Sequence, residues 1–134
     1  MIAKEVKEEL LAGEETGTGE SDIIKAMNEW ITVKEVKNML ALESLKIHIG
    51  DGEAASIILH METNADLLAI NDLKARGVAS AMGVKIIGTL GILRLAKDQG
   101  LLKHIKTLLD ELRKVGAYIS DSLYTRMLKD VREI

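Results

Sequence analysis

The chain of 134 residues contains no cysteine, which excludes disulfide bridges and metal sites built from thiolates. No apolar run reaches the roughly 18 residues that a membrane-spanning helix needs. The first residues are charged and have a helical pattern, so they lack the apolar segment of a secretory signal. These absences predict a cytoplasmic protein that does not associate with membranes.

Proline and phenylalanine are also absent, and the only aromatic residues are Trp30, Tyr118 and Tyr124. Proteins that bind single-stranded nucleic acid by stacking use several exposed aromatic side chains. Base stacking is therefore not expected to dominate any binding of nucleic acid by this chain.

The length fits a single domain over residues 1–134. The net charge of −3 is divided unevenly, because residues 1–66 carry 6 Lys/Arg and 14 Asp/Glu, whereas residues 67–134 carry 12 and 7. An acidic metal pocket beside a basic, phosphate-attracting surface would produce this division. Solvated helix faces would produce it as well, so the charge pattern leaves both readings open.

Apolar periodicity predicts alternating helices and short strands. Strands are predicted at 30–36, 67–70 and 84–87, where β-branched or continuous apolar residues occur. Helices are predicted at 2–12, from Ser21 onward, and at 53–63, 73–82, 89–99, 101–115 and 121–131, with Asp51, Asp72 and Ser120 as the caps of the helices that follow them. A loop is predicted at 13–20, and the segment 38–49 is ambiguous. This order favours an α/β fold, specifically a three-layer α/β/α sandwich with a short parallel sheet and right-handed crossovers.

Acidic residues follow the predicted strands at the edge where α/β folds place their sites. Asp51 and Glu53 stand at the start of a helix, and Asn71 and Asp72 come directly after the strand at 67–70. If these segments are neighbours, the carboxylates converge and suit Mg²⁺ or Mn²⁺. Acids at a helix start are also ordinary caps that interact favourably with the helix dipole. Spacing alone favours the capping interpretation.

The other polar residues carry weaker patterns. The three histidines, His48, His60 and His104, have no short ligand spacing. Thr89 could bind an anion at a helix start, but a simple cap is the better interpretation. Basic residues between 97 and 114 form either a binding face or the solvated side of two helices.

Several segments, in order, resemble one known family. They are VKEELLAG (6–13), WITV (30–33), GDGEAASIILH (50–60), LLAINDLKARGVASAMGVKIIGTLGIL (67–93) and DELRKVGAYISDSLY (110–124). The chain resembles the PIN-like nuclease superfamily, and within it the short prokaryotic and archaeal branch that is related to VapC toxins and usually labelled a domain of unknown function. The resemblance covers almost the whole chain.

PIN domains generally use about four acids around one or two divalent ions to hydrolyse RNA. The resemblance implies that Glu9, Glu53 and Asp72 are catalytic acids and ligands of Mg²⁺ or Mn²⁺. The register at the last position is uncertain by one residue, so Asn71 is a further candidate ligand. Residues expected to attract RNA phosphates are Lys74, Arg76 and Arg94.

The sequence departs from the family pattern at its beginning. The family's first strand carries an Asp in a pattern like Asp-Thr/Ser-Ser-Pro-Leu, and neither this strand nor the following helix is recognisable here. The domain is therefore expected to be incomplete at its N-terminus. A misassigned start, an inactive homologue and a dimer partner that fills the gap would each explain the departure.

Two functions follow from the resemblance and its departure. The first is a divalent-metal-dependent ribonuclease, active or impaired by the missing acid. The second is a non-catalytic interaction module that dimerises or binds an antitoxin-like protein.

Overall fold

A computed structural model describes residues 1–12 and 20–134 of the chain. The loop predicted at 13–20 lies outside the described residues except for its last residue, Glu20, which begins a helix. The described residues group into two compact units, Met1–Ile87 and Gly88–Ile134.

The first unit alternates short strands with helices. Its strands are β1 (Ile2–Ala3), β2 (Val33–Lys34), β3 (Leu68–Ala69) and β4 (Ile86–Ile87). Its helices are α1 (Lys4–Ala12), α2 (Glu20–Glu29), α3 (Met39–Lys46), α4 (Asp51–Thr63) and α5 (Leu73–Ala81).

The strands of the first unit form two separate parallel pairs. In one pair, Ile2 of β1 lies opposite Val33 of β2; in the other, Leu68 of β3 lies opposite Ile86 of β4. The predicted parallel strands and the α/β class are confirmed. The expectation of one three-stranded sheet was wrong, because within residues 1–12 and 20–87 no hydrogen-bonded ladder joins the two pairs.

The beginning of the chain also differs from its prediction. Ile2 was expected to start a helix, but its N–H donates to the carbonyl of Thr32 at 2.9 Å, and this bond draws residues 2–3 into a strand. The helix then begins at Lys4. Helical spacing could not reveal the strand, because the partner lies thirty residues away.

Helix α4 forms the centre of the first unit. Its buried side is not a narrow stripe, since residues on several faces are enclosed, as in a helix packed from all sides. The buried residues of α4 are Gly52, Ala54, Ala55, Ile57, Ile58 and Leu59. The helix packs against α1, α3 and β1, so its N-terminus is held in a fixed place relative to those elements.

Two predicted helix caps are present. An oxygen of the Asp72 carboxylate accepts from the N–H of Ala75 at 2.8 Å, and the hydroxyl of Ser120 accepts from the N–H of Leu123 at 3.2 Å. Asp51, in contrast, was expected to cap α4 but is its first helical residue, with Gly50 at the capping position. Thr89 likewise begins its helix, one residue after the cap.

The second unit consists of α6 (Thr89–Asp98), α7 (Lys106–Lys114) and α8 (Asp121–Asp130). Its core residues are Ile105, Leu109, Ile119, Met127 and Leu128. Across the packed helices, the Arg113 guanidinium lies over the Tyr124 ring at 4.1 Å from its centroid, and the Tyr124 hydroxyl donates to Asp110 at 2.6 Å.

Within the described residues, no helix combines the length and the apolar character needed to cross a bilayer. The prediction of a single domain over residues 1–134 stays a prediction.

Candidate functional site

A cavity of about 370 Å³ in the first unit is lined by three of the predicted site residues. Glu9 reaches it from α1, Glu53 from the first turn of α4, and Asn71 from the residues that follow β3. Three elements far apart in the sequence therefore bring two carboxylates and one amide to a common space.

Glu9 is anchored to the start of α4. One of its carboxylate oxygens accepts from the N–H of Gly52 at 2.9 Å, a bond that spans 43 residues of sequence. The first N–H groups of a helix have no partner inside the helix and carry the positive end of its dipole, so they favour an anionic side chain. A carboxylate has about four acceptor sites, so Glu9 keeps capacity for a second interaction, including one with a cation.

The two glycines beside Glu53 create the room for these carboxylates. A methyl group on Gly52 would clash with the carboxylate of Glu9, whose Cδ would lie only 2.8 Å away. A methyl group on Gly50 would clash with the carboxylate of Glu53, which turns back toward the helix start. The Gly-Asp-Gly-Glu segment contributed to the family resemblance, but its steric role was not predicted from the sequence.

The neighbouring residues Asn71 and Asp72 line different pockets. Asn71 lines the same cavity as Glu9 and Glu53. Asp72 caps α5 and lines an adjoining recess of about 430 Å³, which it shares with Glu53. The two candidates for the last metal ligand, Asn71 and Asp72, thus line two different pockets, and Glu53 lines both.

Comparison with models of known families identifies the family of the chain. The model of a PIN domain family matches residues 1–133. The chain belongs to the PIN domain family. No curated protein and no solved structure matches it significantly. PIN domains are generally nucleases that use divalent metal ions, so the cavity with its carboxylates is the candidate site of this PIN domain.

The side chains around the cavity are of the chemical types that bind a hard divalent cation. Among residues 1–12 and 20–134, no three His, Cys, Asp or Glu side chains are grouped closely enough to hold a metal ion together. Magnesium, however, is usually bound through only one or two carboxylates, with water and substrate phosphates completing its shell. Two carboxylates and an amide oxygen at one cavity match that pattern.

The adjoining recess carries cations as well as carboxylates. Lys46 and Lys74 line it beside Glu53 and Asp72. A hydrogen bond to Glu43 raises the pKa of the Lys46 ammonium, and attraction to Asp51 acts in the same direction. The recess therefore presents positive charge next to the carboxylates.

The other predicted phosphate-binding residues have different surroundings. Arg76 is partly buried, and its guanidinium donates to the carbonyl of Ile70 at 3.3 Å, which ties α5 to the end of β3. Arg94 lies in the second unit, where its guanidinium is 2.9 Å from the Asp130 carboxylate and 3.7 Å from that of Asp98. Lys74 is thus the predicted cation that shares a recess with Glu53.

His60 was not predicted as a site residue. It lines the main cavity, and its Nδ1 atom is buried with no hydrogen-bond partner among the described residues. Ser56 and His60 come three and seven residues after Glu53, a spacing that places all three on one face of a helix. The helical spacing from Glu53 to His60 within α4 was the feature of the sequence that could have identified His60, rather than a short metal-ligand motif.

Proposed function

We propose that this PIN domain is a ribonuclease that depends on Mg²⁺ or Mn²⁺. The observation that carries the proposal is the convergence of Glu9, Glu53 and Asn71 on one cavity. These three side chains would hold the ion, with Asp72 adding negative charge from the adjoining recess. When bound, a divalent ion activates water and stabilises the charge that develops at a phosphodiester.

The residues around the ion have separate roles in this proposal. The N-terminus of α4 and the bond from Gly52 hold the Glu9 carboxylate in place. Lys74 and Lys46 attract the RNA backbone toward the recess beside Glu53. Arg76 orients the residues after β3 through its bond to Ile70, and its positive charge adds to the attraction.

Cleavage of RNA in the presence of Mn²⁺ tests this function. The wild-type chain is compared with Glu53→Gln, which keeps the size of the side chain and removes its charge. Asp51→Asn is the matched control, because Asp51 lies in the same helical turn but lines neither the cavity nor the recess. We expect Glu53→Gln to lose cleavage and Asp51→Asn to retain it. Equal cleavage by wild type and Glu53→Gln would refute catalysis at this site.

A non-catalytic interaction module is the second candidate function. It is favoured by the lack of a grouped third acid among the described residues and by the amide at position 71. This module would use the PIN scaffold to bind an antitoxin-like protein. Calorimetric titration with Mn²⁺ separates the two candidates, since micromolar binding that Glu53→Gln abolishes supports the nuclease, and the absence of heat supports the module.

A further inference from the structure

A separate pocket, of about 630 Å³, lies within the second unit, whereas the carboxylates line a cavity of the first. Among the described residues that line it, the basic ones are Lys97, His104, Lys106 and Arg132, and Glu133 alone is acidic. Three charges of Lys and Arg against one of Glu give these side chains a net charge of +2 with histidine neutral. The second unit thus contains a basic pocket that has no part in the carboxylate site.

The acidic residue of the basic pocket, Glu133, does not present its charge to solvent, because its side chain is almost fully buried. One carboxylate oxygen accepts from the N–H of Ile105 at 2.8 Å and lies 3.1 Å from the Lys97 ammonium. The other oxygen accepts from the N–H of Lys106 at 2.9 Å. The charge of Glu133 is therefore compensated inside the unit, and the basic side chains determine the charge that a ligand meets.

The basic side chains of the pocket are held to different degrees. Lys97 is fixed by its pairing with the buried carboxylate, and the Lys106 ammonium lies 2.7 Å from Asp110, four residues further along α7. His104 and Arg132 are exposed, and neither forms an ion pair with any described residue. Arg132 therefore brings to the pocket a positive charge that no described residue neutralises.

The backbone at Arg132 has a conformation that is unusual for its residue type. Its φ of 59° lies in the left-handed region, which Gly adopts at a lower cost than Arg. The N–H groups of Arg132 and Glu133 donate to the carbonyls of Lys129 and Leu128 and so end α8, a turn in which Gly is the usual residue. Gly would make this turn with less strain, so the turn alone does not account for the Arg side chain. A ligand of the pocket that the side chain lines would account for it.

The chemistry of the pocket fits the phosphate groups of a nucleic acid. The planar guanidinium of Arg132 can donate two parallel bonds to phosphate oxygens, and the lysines add ammonium donors. The hydroxyl of Thr107, in the first turn of α7, lines the pocket as a further donor. Among the described residues no aromatic side chain lines the pocket, so it suits the backbone of a nucleic acid and not its bases.

We propose that this pocket binds backbone phosphates of RNA and anchors the strand through the second unit. The choice of RNA as the polyanion rests on the proposed function, whereas the binding of phosphate rests on the basic side chains alone. The proposal also gives a role to the basic residues between 97 and 114, for which the sequence left a binding face and a solvated surface open.

Arg132→Gly tests the proposal, because it removes the guanidinium and suits the left-handed backbone. Binding of a labelled single-stranded RNA is measured by fluorescence anisotropy without divalent metal, so that cleavage plays no part. We expect the affinity of Arg132→Gly to fall about fivefold at about 0.1 M salt, the effect of one lost phosphate contact with a slope of about 0.7. The thermal unfolding midpoint should stay equal or rise, because Gly adopts positive φ at no steric cost. Equal RNA affinity of wild type and Arg132→Gly would overturn the proposal.

Two further variants separate the pocket from the general charge of the unit. Arg126→Gln is the matched control for Arg132→Gln, because Arg126 is an exposed residue of α8 that lines a different pocket and forms no ion pair with a described residue. We expect Arg132→Gln to lose affinity as Arg132→Gly does, and Arg126→Gln to bind nearly as wild type. An equal loss in both Gln variants would show a diffuse charge effect and contradict a phosphate site at the pocket.

The identity of the ligand and the nuclease activity are tested separately. A polyglutamate peptide is added as a competitor at the same concentration of negative charge as unlabelled RNA, and we expect it to displace the labelled RNA much less. Equal displacement by the two would show that any polyanion fits and that the phosphate site is wrong. Glu53→Gln should not weaken metal-free binding of RNA. If wild type cleaves no RNA but Arg132→Gly still loses affinity, the nuclease is refuted and the phosphate site stands.

Discussion

Position 71 carries an amide where the cavity already holds two carboxylates. Asn71 lines the cavity with Glu9 and Glu53, and its replacement by Asp would add a third acidic donor there. Affinity for a hard divalent cation rises with the number of charged ligands, provided that they share the site. We expect Asn71→Asp to bind Mn²⁺ about tenfold more tightly than wild type, as measured by calorimetry.

Asp72→Asn is the control for that change. Asn caps a helix about as well as Asp, so the bond to the N–H of Ala75 is expected to survive. If Asp72 contributes only from the adjoining recess, its neutralisation weakens Mn²⁺ binding less than Glu53→Gln does. A loss of affinity equal to that of Glu53→Gln would instead identify Asp72 as a direct ligand.

Gly52 offers a second test at the scale of one residue. Gly52→Ala would push the Glu9 carboxylate off the start of α4, because the new methyl group occupies its place. The fold is expected to tolerate the change, since the displaced group is the end of a flexible side chain and Ala favours a helix by about 0.5–1 kcal/mol over Gly. We expect Mn²⁺ affinity to fall about 10-fold or more, in line with the loss of a positioning contact.

Gly77→Ala is the matched control for Gly52→Ala. Gly77 lies in α5, and a methyl group there meets no atom within 4 Å. It should raise the thermal unfolding midpoint slightly and leave Mn²⁺ affinity unchanged. If Gly52→Ala binds Mn²⁺ as tightly as Gly77→Ala, Glu9 is not held in a functional position by Gly52.

Among the elements, those with local signals were predicted best. The caps at Asp72 and Ser120 depend on bonds three residues along the chain, and so a short sequence pattern predicts them. Helix α7 was expected to begin near residue 101 but begins at Lys106. Its start is fixed by Glu133, whose carboxylate accepts from the N–H groups of Ile105 and Lys106 across 28 and 27 residues.

That carboxylate makes the second unit sensitive to acid. The side chain of Glu133 is only 6% exposed and lies 3.1 Å from the Lys97 ammonium. Burial by itself would raise the pKa of Glu133, but the bonds from Ile105, Lys106 and Lys97 outweigh it, and the pKa in the folded state lies below the ordinary value of 4.5. The contribution of the Glu133 carboxylate to folding stability is therefore present above pH 4.5 and is lost as the pH falls through the lower folded-state pKa.

We expect Glu133→Gln to lose this stabilisation at neutral pH, by about 1–3 kcal/mol for charged hydrogen bonds to a helix start. The protection factors of its α7 amides should also change less between pH 6 and pH 3 than those of wild type. Glu111→Gln, an exposed change within α7, should keep the wild-type dependence on pH. Parallel pH profiles for wild type and Glu133→Gln would show that another group governs acid sensitivity.

At the scale of the whole molecule, the composition and motif order predicted the α/β class and the family, whereas the geometry of the site required the structure. The bond between Glu9 and Gly52 spans 43 residues, and no periodicity in the sequence predicts contacts at that separation. The choice between residues 71 and 72 depends on the direction of side chains after β3. A strand boundary that is uncertain by one residue cannot supply that direction, because a shift of one residue reverses the face.

The division of charge between the halves of the sequence leads to the last prediction. Residues 67–134 carry the excess of Lys and Arg, and a cation that meets an RNA phosphate releases a bound counterion from the single strand. Binding of RNA, measured in the absence of divalent metal, should therefore weaken as the salt concentration rises. Each phosphate contact contributes about 0.7 to the slope of log affinity against log salt concentration.

Lys74 and Arg94 are expected to contribute differently to that slope. Lys74 is exposed and lines the recess beside Glu53, so Lys74→Gln should reduce the magnitude of the slope by about 0.7, the value for one contact. Arg94 is already paired with Asp130 at 2.9 Å, so Arg94→Gln should change the slope less. Fluorescence anisotropy with a labelled single-stranded RNA at several salt concentrations measures both. An unchanged slope for Lys74→Gln would remove this lysine from the RNA path and leave Lys46 as the other cation that lines the recess beside Glu53.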